Sequence, residues 1–480
     1  MHATLPSLLP LPRQVELLPG SCELRAGTRV VAGGGIEMAH VADHLVADLQ
    51  ARLGLHVRRG DLAEAGDIEL RYGPTPHGGA ESYVLHLDHR GVRLTAPSAP
   101  GLWNGTRTLL QLLPAAPALA VELPAVRIVD APRLAWRGAM LDVARHFFGV
   151  DHVKRFIELV AGYKMNRLHL HLTDDQGWRL EIPRYPELTA IGGAGAVGGA
   201  PGGWYSLDDW WEICQHAARH HVTVVPEVDL PGHVHAALAS LPQLSADGVA
   251  PAPYTGQRVI FSSLDLSLPA THEFADEVVR TLALATPGRI LHIGGDEATS
   301  TAKEDYHAFI ARMQRVVHSH DCTMMGWEEV ATASLGEGSI VQHWLSAETA
   351  LATPPGCTFV MSPAPHTYLD MRHADGDALG RGWAGAIDVD RAYQWNPSAL
   401  VPGVDDDRIE GVEAPLWTER VQDFGEVEQL CFPRLLCLAE VGWTPQRLRS
   451  WPEFSDRLAD HTDALALRGV HVHRSRLLRP

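Results

Sequence analysis

The N-terminal part of the chain carries two kinds of hydrophobic pattern. One apolar stripe recurs at the spacing of a helix face, and its members are Val41, Leu45, Leu49 and Leu53. Three other stretches, 67–72, 83–87 and 91–95, alternate apolar and polar positions, and a turn at 88–90 separates the last two. This combination predicts a small α+β domain with an antiparallel sheet, which we place at residues 1–132.

Beyond this domain, short apolar runs alternate with amphipathic stretches. Eight runs predict β-strands, at 138–143, 167–172, 222–228, 290–293, 323–327, 340–344, 359–362 and 412–417. The stretches 153–163, 207–221 and 306–318 predict helices, and the second follows a Ser206-x-x-Asp209 capping pattern. Eight strand-helix repeats are what a (β/α)8 barrel requires. The sequence therefore predicts an α/β protein in which residues 133–480 form a TIM barrel behind the small α+β domain.

Polar and aromatic residues collect where the predicted barrel strands end. In chain order they are Arg145, Asp174, His233, Asp296, Glu297, Trp327, Trp344, Tyr368, Asp370, Trp417 and Glu419. Active sites of TIM barrels lie at the carboxyl ends of the strands. We therefore expect these side chains to form one site.

The most informative stretch is 292–297, in which an apolar strand ends in two glycines followed by the adjacent carboxylates Asp296 and Glu297. Neighbouring residues of a strand point to opposite faces, so the two carboxyls are expected to occupy different environments. Different environments separate the two acidities, so that one carboxyl stays protonated while the other stays charged. A solvated loop is the alternative interpretation, and the repeated polar strand ends argue against it.

The types of these residues favour a carbohydrate ligand. Carboxylates and an arginine make charged hydrogen bonds to sugar hydroxyls. The indole faces of Trp327, Trp344 and Trp417 can pack on the C–H surface of a sugar ring.

The span from about residue 133 to the C-terminus resembles glycoside hydrolase family 20, the exo-acting β-N-acetylhexosaminidases. The motifs that carry the resemblance occur in family order: Arg145-His146-Phe147, Leu172-Thr173-Asp174-Asp175, Pro231-Gly232-His233, His292-x-Gly294-Gly295-Asp296-Glu297, Tyr368-x-Asp370 and Trp417-x-Glu419. The N-terminal region also resembles the small α+β domain that precedes the barrel in bacterial members.

The resemblance implies a retaining reaction in which the 2-acetamido group of the substrate replaces the enzyme nucleophile. It makes Glu297 the general acid and base, and Asp296 the group that orients the acetamido N–H and stabilises an oxazolinium intermediate. Asp174 and His233 are implied to form a polar chain behind Glu297.

The remaining roles that the resemblance implies concern binding of the terminal sugar, GlcNAc or GalNAc. Tyr368 holds the acetamido carbonyl, and Trp327, Trp344 and Trp417 enclose its methyl group. Arg145, Asp370 and Glu419 bind the hydroxyls at positions 3, 4 and 6 of the ring. Trp383 is a further candidate for lining the pocket. An equal interpretation is that it supports the glycine-rich loop in which it lies.

Composition narrows the class of partner. The formal charge of -18, from 58 acidic and 40 basic residues, argues against nucleic acid and anionic membranes. No apolar run approaches the length of about 18 residues that a membrane-spanning helix needs. We expect an oligosaccharide or small-molecule substrate, no cofactor, and a monomer or homodimer.

The compartment is predicted from the cysteines and the start of the chain. Residues 1–18 contain three prolines and lack a basic leader, and the six cysteines show no framework spacing. The cytoplasm is therefore the expected compartment, with secretion open if a leader was removed.

Two other functions are compatible with parts of the sequence. A metal-dependent hydrolase could use the histidines near the strand ends, which are His169, His171, His233, His235 and His292, together with Asp174. A non-catalytic sugar-binding protein would keep the pocket but lose the acid, and both Asp296 and Glu297 are present. The sequence predicts no metal site.

Overall fold

The computed structural model of the chain describes residues 7–114, 117–118 and 120–479. Residues 1–6, which begin the segment considered above as a leader, lie outside the described residues, as do 115, 116, 119 and 480. In the described part of the chain, no helix combines the length and apolarity needed to cross a membrane.

The N-terminal domain is a mixed sheet covered by two helices. Its strands in the described ranges are β1 (Gln14–Arg25), β2 (Arg29–Ala32), β3 (Arg58–Gly60), β4 (Asp67–Tyr72), β5 (Tyr83–Asp88), β6 (Gly91–Ala96) and β7 (Ala120–Asp130), in the spatial order β1-β7-β5-β6-β4-β2-β3. The predicted hairpin is the antiparallel pair β5–β6, whereas β4 pairs in parallel with both β6 and β2. Helices α1 (Ile36–Leu53) and α2 (Ala99–Leu112) pack against each other and the sheet, and the predicted apolar stripe is the buried face of α1.

The second part of the chain is a closed parallel barrel, as predicted. The further strands described are β8 (Trp136–Asp142), β9 (Arg167–His171), β10 (Thr173–Asp174), β11 (Gly177–Trp178), β12 (Thr223–Glu227), β13 (Ile290–His292), β14 (Thr323–Trp327), β15 (Ile340–His343), β16 (Thr358–Met361) and β17 (Ile409–Leu416). The short strands β10 and β11 pair with each other, and the other eight close the barrel in the order β12-β13-β14-β15-β16-β17-β8-β9. Each of these eight overlaps one of the predicted strands.

Helices cover the outside of the barrel. Those in the described residues are α3 (Val150–Ala161), α4 (Glu187–Ala190), α5 (Leu207–Arg219), α6 (His235–Ser240), α7 (Pro269–Ala285), α8 (Lys303–Ser319), α9 (Ala347–Ala352), α10 (Ala364–Thr367), α11 (Val389–Tyr393), α12 (Pro397–Leu400), α13 (Phe424–Cys431), α14 (Arg434–Trp443) and α15 (Trp451–Leu467). Helix α5 begins at the predicted residue, because Ser206 and Asp209 form the reciprocal capping box. The other two predicted helices begin three residues earlier than their apolar patterns indicated.

A buried polar network joins the two domains. Lys164 lies in the connection between α3 and β9, and its Nζ donates to Tyr83 Oη at 2.9 Å and to Asp130 Oδ2 at 3.3 Å. Trp443 Nε1 donates to the same Asp130 oxygen at 3.0 Å. All four side chains are at most 2 % exposed, so each polar group depends on the others for its hydrogen bonds.

Candidate active site

The residues predicted at the strand ends meet at one end of the barrel. Arg145 follows β8, His233 follows β12, and the Asp296-Glu297 pair follows β13. The later strands contribute the aromatic residues and the remaining carboxylates. The site is described here from the acidic pair outward.

Two glycines set the backbone of the acidic pair. Gly294 and Gly295 have φ of +66° and +93°, and Glu297 itself has φ of +48°. A Cβ on Gly294 would lie 1.9 Å from Asp229 Oδ1, and a Cβ on Gly295 would lie 2.5 Å from a methyl group of Val330. Both the positive φ and the lack of space therefore require glycine. In return, Asp229 Oδ1 accepts a hydrogen bond from the Gly295 amide at 3.1 Å.

The two carboxyls of the pair occupy unequal environments. The side chain of Glu297 is 28 % exposed, whereas that of Asp296 is 13 % exposed. Burial raises the pKa of Asp296, although His233 opposes the shift. Burial, and after it the charge of Asp296, raises the pKa of Asp229 well above its ordinary value. A hydrogen bond from Asp229 opposes the effect of burial on Asp296, so the two carboxyls titrate as a pair.

A charged chain runs behind Glu297. His233 Nε2 lies 3.4 Å from Glu297 Oε2 and 3.7 Å from Asp296 Oδ2. Its Nδ1 faces Asp174 Oδ1 at 3.4 Å, and Arg145 Nη2 contacts Asp174 Oδ2 at 2.6 Å. Burial would raise the pKa of Asp174, but Arg145, His233 and His171 together outweigh burial and lower that pKa. Burial would lower the pKa of His233, but Asp174, Glu297 and Asp229 together outweigh burial and raise that pKa well above its ordinary value.

Five aromatic side chains line the other side of the site. Trp327 and Trp417 are 5.7 Å apart between ring centroids, and Tyr368 lies 6.5 Å from Trp417. Trp344 stacks on Tyr368 at 6.2 Å. Trp383 stands edge-on to Tyr368 at 5.6 Å with 51 % of its surface exposed, which places it at the rim of the same cluster.

The carboxylates Asp370 and Glu419 present unpaired oxygens. Four buried atoms of the site have no hydrogen-bond partner among the described residues. They are both carboxyl oxygens of Asp370, Oε2 of Glu419 and Nε of Arg145. Buried polar atoms in proteins are normally paired, so four unpaired ones in one site indicate groups built to receive a ligand. Glu419 Oε1 is held by Arg381 Nη1 at 2.7 Å.

Four residues of the site were not predicted from the sequence, and they are Glu227, Asp229, Glu329 and Arg381. Trp327 Nε1 donates to Glu227 Oε1 at 2.7 Å, and Trp344 Nε1 donates to Glu329 Oε2 at 3.2 Å. Asp229 accepts from the Gly295 amide, and Arg381 holds Glu419, as described above. Asp229 and Glu227 could have been found from their position at the end of the third barrel strand, whereas Glu329 and Arg381 lie in loops without a sequence signal.

The barrel histidines of the metal hypothesis are engaged by carboxylates. His171 uses both ring nitrogens, with Glu227 Oε2 at 2.5 Å and Asp174 Oδ2 at 2.8 Å. His169 Nδ1 lies 2.8 Å from Glu413 Oε1; burial alone would lower the pKa of His169, but Glu227 and Glu413 raise it to about 9. An imidazolium is not a metal ligand, and this cluster is fully buried below the site, so it does not fit an open catalytic metal.

Of the other histidines in that hypothesis, His292 joins this buried cluster and His235 lies apart from it. His292 Nδ1 lies 3.1 Å from Glu227 Oε1 inside the barrel, whereas His235 Nε2 pairs with the backbone oxygen of Ala252. These contacts give the histidines a structural explanation.

Comparisons with known proteins agree over the whole chain. Residues 134–446 match the family model described as "Glycosyl hydrolase family 20, catalytic domain", and residues 5–131 match "Glycosyl hydrolase family 20, domain 2". A β-N-acetylhexosaminidase from Cellulomonas fimi is 39% identical over 477 residues, covering 98% of this chain and 96% of that protein.

Solved structures match equally well. The family 20 β-N-acetylhexosaminidase from Streptomyces coelicolor has a TM-score of 0.96 at 42% identity, covering 99% of both chains. A mutant Streptomyces plicatus β-hexosaminidase in complex with its product GlcNAc has a TM-score of 0.96 at 42% identity, covering 99% of this chain and 98% of that one.

Proposed function

The chain belongs to glycosyl hydrolase family 20, and we propose that Glu297 and Asp296 carry out its reaction as an exo-acting β-N-acetylhexosaminidase. The reaction removes a terminal non-reducing N-acetylhexosamine by substrate-assisted catalysis. The observation that carries the assignment of residues is the convergence of the Asp296-Glu297 pair with His233 at the carboxyl end of the barrel.

Glu297 is the general acid in this proposal. It is the more exposed member of the pair, so its carboxyl can reach the glycosidic oxygen between the sugar and its leaving group. After the leaving group departs, the same carboxylate takes a proton from the attacking water. His233, 3.4 Å away and tied through Asp174 to Arg145, fixes the orientation of the carboxyl and supplies a nearby positive charge.

Asp296 assists the acetamido group of the substrate. Its carboxylate accepts the acetamido N–H, and so turns the carbonyl oxygen toward the anomeric carbon. As the oxazolinium ring forms, its positive charge faces this carboxylate, and at about 4 Å and an effective dielectric of ~20 the attraction is about 4 kcal/mol before desolvation. Asp229 supports this role, because its hydrogen bond to Asp296 lowers the pKa of Asp296 against the effect of burial and so favours the ionised form.

The aromatic cluster receives the acetamido group. Trp327, Trp344 and Trp417 provide apolar walls for the methyl group, and the Tyr368 hydroxyl donates to the carbonyl oxygen. Glu227 and Glu329 hold two of the indoles through their N–H groups, so those walls are fixed before the sugar arrives. Trp383, at the rim, packs beside the sugar face at the entrance.

The ring hydroxyls pair with the charged residues of the site. Arg145, Asp370 and Glu419 carry the buried unpaired atoms described above, and hydroxyl groups of the terminal sugar supply partners for them. Arg381 fixes the Glu419 carboxylate for this contact. These groups close around one sugar, which agrees with removal of a single terminal residue.

The proposal is tested with a pair of chromogenic substrates. We expect turnover of p-nitrophenyl N-acetyl-β-glucosaminide, and a loss of at least about 10³-fold in kcat/KM for the matching glucoside, because the glucoside lacks the internal nucleophile. Equal rates on both substrates would contradict substrate assistance. Sugar binding without turnover would indicate a binding protein, and loss of activity in EDTA while the protein stays folded would indicate a metal enzyme.

We also propose that the enzyme acts in the cytoplasm as a monomer or homodimer. All six cysteines are buried and unpaired, which supports a reducing compartment. Fractionation of the native cells with an activity assay tests the location, and light scattering on the purified protein tests the assembly state.

A further inference from the structure

A cluster of metal-binding side chains lies on the outside of the barrel, away from the catalytic site. It consists of Glu158 on α3, His216 on α5 and His220 at the C-terminal end of α5, and we call it the α3–α5 cluster. The ligand atoms of these three residues all lie within 4.8 Å of one another. Helices of a (β/α)8 barrel run antiparallel to the strands, so the end of α5 lies at the opposite end of the barrel from Glu297.

The helix spacing places two imidazoles together. His216 and His220 are four residues apart, which puts them on the same helix face, and their ring centroids are 4.4 Å apart at an angle of 34°. One nitrogen of each ring lies within 4.8 Å of the other and of a Glu158 oxygen.

One hydrogen bond fixes the available nitrogen of His220. Its Nδ1 lies 2.8 Å from the backbone oxygen of His216, and a carbonyl can only accept, so Nδ1 carries the proton. The Nε2 lone pair of neutral His220 is therefore free to bind a cation. A histidine ligand whose second nitrogen donates to a backbone carbonyl is a common arrangement in metal sites.

The carboxylate comes from the neighbouring helix. Glu158 Oε1 lies 3.3 Å from His216 Nε2, and that buried nitrogen has no well-aligned hydrogen-bond partner among the residues the structure describes. Helices α3 and α5 pack side by side, so a cation at this point would join them.

The N-terminal domain closes the other side of the cluster. The ring of His44 on α1 lies 4.8 Å from that of His220, and Trp103 on α2 lies 5.4 Å from it. The site is thus enclosed on one side by protein and open through the exposed Glu158 on the other.

We propose that the α3–α5 cluster binds one Zn²⁺ ion. Zn²⁺ prefers four ligands and binds imidazole nitrogen and carboxylate oxygen at about 2.0–2.2 Å, so side-chain rotations bring the three ligand atoms closer and a water molecule fills the fourth position. The ion stabilises the folded protein, because the unfolded chain does not hold these groups together. It takes no part in hydrolysis, since the site lies at the far end of the barrel.

Zinc binding to the purified enzyme tests the proposal. The full-length protein is freed of metal with EDTA, dialysed against ZnCl₂ and measured for bound zinc by mass spectrometry. We expect one Zn²⁺ per chain and a rise in Tm on the order of 3 °C at saturating zinc. No bound zinc in the wild-type protein would overturn the proposal.

Variants locate the ion. Glu158→Gln and His216→Gln remove ligands near the surface and are expected to lose the bound zinc and the rise in Tm. His318→Gln, which alters an exposed histidine in the last turn of α8, is the matched control and is expected to keep both. Hydrolysis of the chromogenic substrate by all three variants is expected to match the wild type. Zinc retained by Glu158→Gln and His216→Gln, or activity that rises with zinc, would place the ion elsewhere and overturn the proposal.

Discussion

At the scale of single residues, the site depends on how several carboxyls share a small volume. Burial raises the pKa of Asp229, Asp296 and Glu329, and the charge of Asp296 adds to this shift at Asp229 and Glu329. The charge of Asp296 therefore favours the protonated form of both Asp229 and Glu329.

The acid role of Glu297 predicts a dependence on the leaving group. Glu297→Gln is expected to lower kcat/KM by about 10²–10⁴-fold on a disaccharide with a poor leaving group, because such a group must be protonated as it departs. On an aryl glycoside with a good leaving group the loss should be much smaller. Kinetics on the two substrates measure the contrast, and equal losses on both would exclude the acid role.

The pKa of Glu329 predicts a pH-dependent stability. Burial, and after it the charge of Asp296, raises the pKa of Glu329 from 4.5 to about 8. The unfolded chain therefore loses this proton first, and the contribution of Glu329 is fully present below about pH 4.5 and is lost as the pH rises through about 8.

Glu329→Gln removes this titration but keeps an oxygen that can accept the Trp344 N–H. We expect the variant to gain in free energy of unfolding relative to the wild type by at most about 1.4 kcal/mol per pH unit between pH 5 and 8. Urea unfolding of both proteins across this range measures the difference. A difference that does not change with pH would show that Glu329 ionises normally.

At the scale of elements, the turn after β13 positions the Asp296-Glu297 pair at the end of the barrel. Gly294 and Gly295 bring the backbone against Asp229 and Val330, so the turn, and not either carboxyl alone, fixes where Asp296 points. A change in the turn should therefore affect catalysis without touching a catalytic side chain.

Gly294→Ala is expected to reduce kcat strongly. The new methyl group would meet Asp229 Oδ1 at 1.9 Å and displace it, in addition to the strain of φ at +66°. Gly248→Ala is the matched control, since Gly248 has φ of +69° with no atom within 4 Å of the added carbon. The control should lose about 1–2 kcal/mol of stability and little kcat. Equal effects in both variants would mean that strain alone matters.

The elements of the barrel could be predicted from the sequence because each strand is a compact apolar run with polar residues at its end. Strand β1 was not predicted, because most of its residues are exposed and its alternation changes phase at the register shift between Leu17 and Ser21. The parallel pairings of β4 were not predicted either, because pairing between distant strands leaves no local pattern. The same limit applies to Arg381, whose pairing with Glu419 depends on how two loops meet.

At the scale of the whole molecule, the two domains share one polar core. Asp130 accepts hydrogen bonds from Tyr83 in its own domain and from Lys164 and Trp443 in the barrel. Burial lowers the pKa of Lys164, and Asp130 opposes that shift, so the pair is stable as ions only when both are present.

Lys164→Met is expected to destabilise the protein by about 3–5 kcal/mol, because it leaves the Asp130 carboxylate buried without its countercharge. The double variant Lys164→Met, Asp130→Asn should recover only part of this loss, since the amide oxygen still accepts from Tyr83 and Trp443 but the amide nitrogen faces the backbone N–H groups of Arg13 and Ala131. Denaturant unfolding measures both values. A double variant less stable than Lys164→Met would contradict the pairing.

The Asp130 network also limits how this gene can be rearranged. If the barrel were fused to an unrelated N-terminal domain, the Lys164 ammonium and the Trp443 indole would face a surface without the Asp130 acceptor. Each domain therefore has buried polar groups that only the other domain can pair, and we expect recombination to preserve a stable enzyme only when both domains are exchanged together.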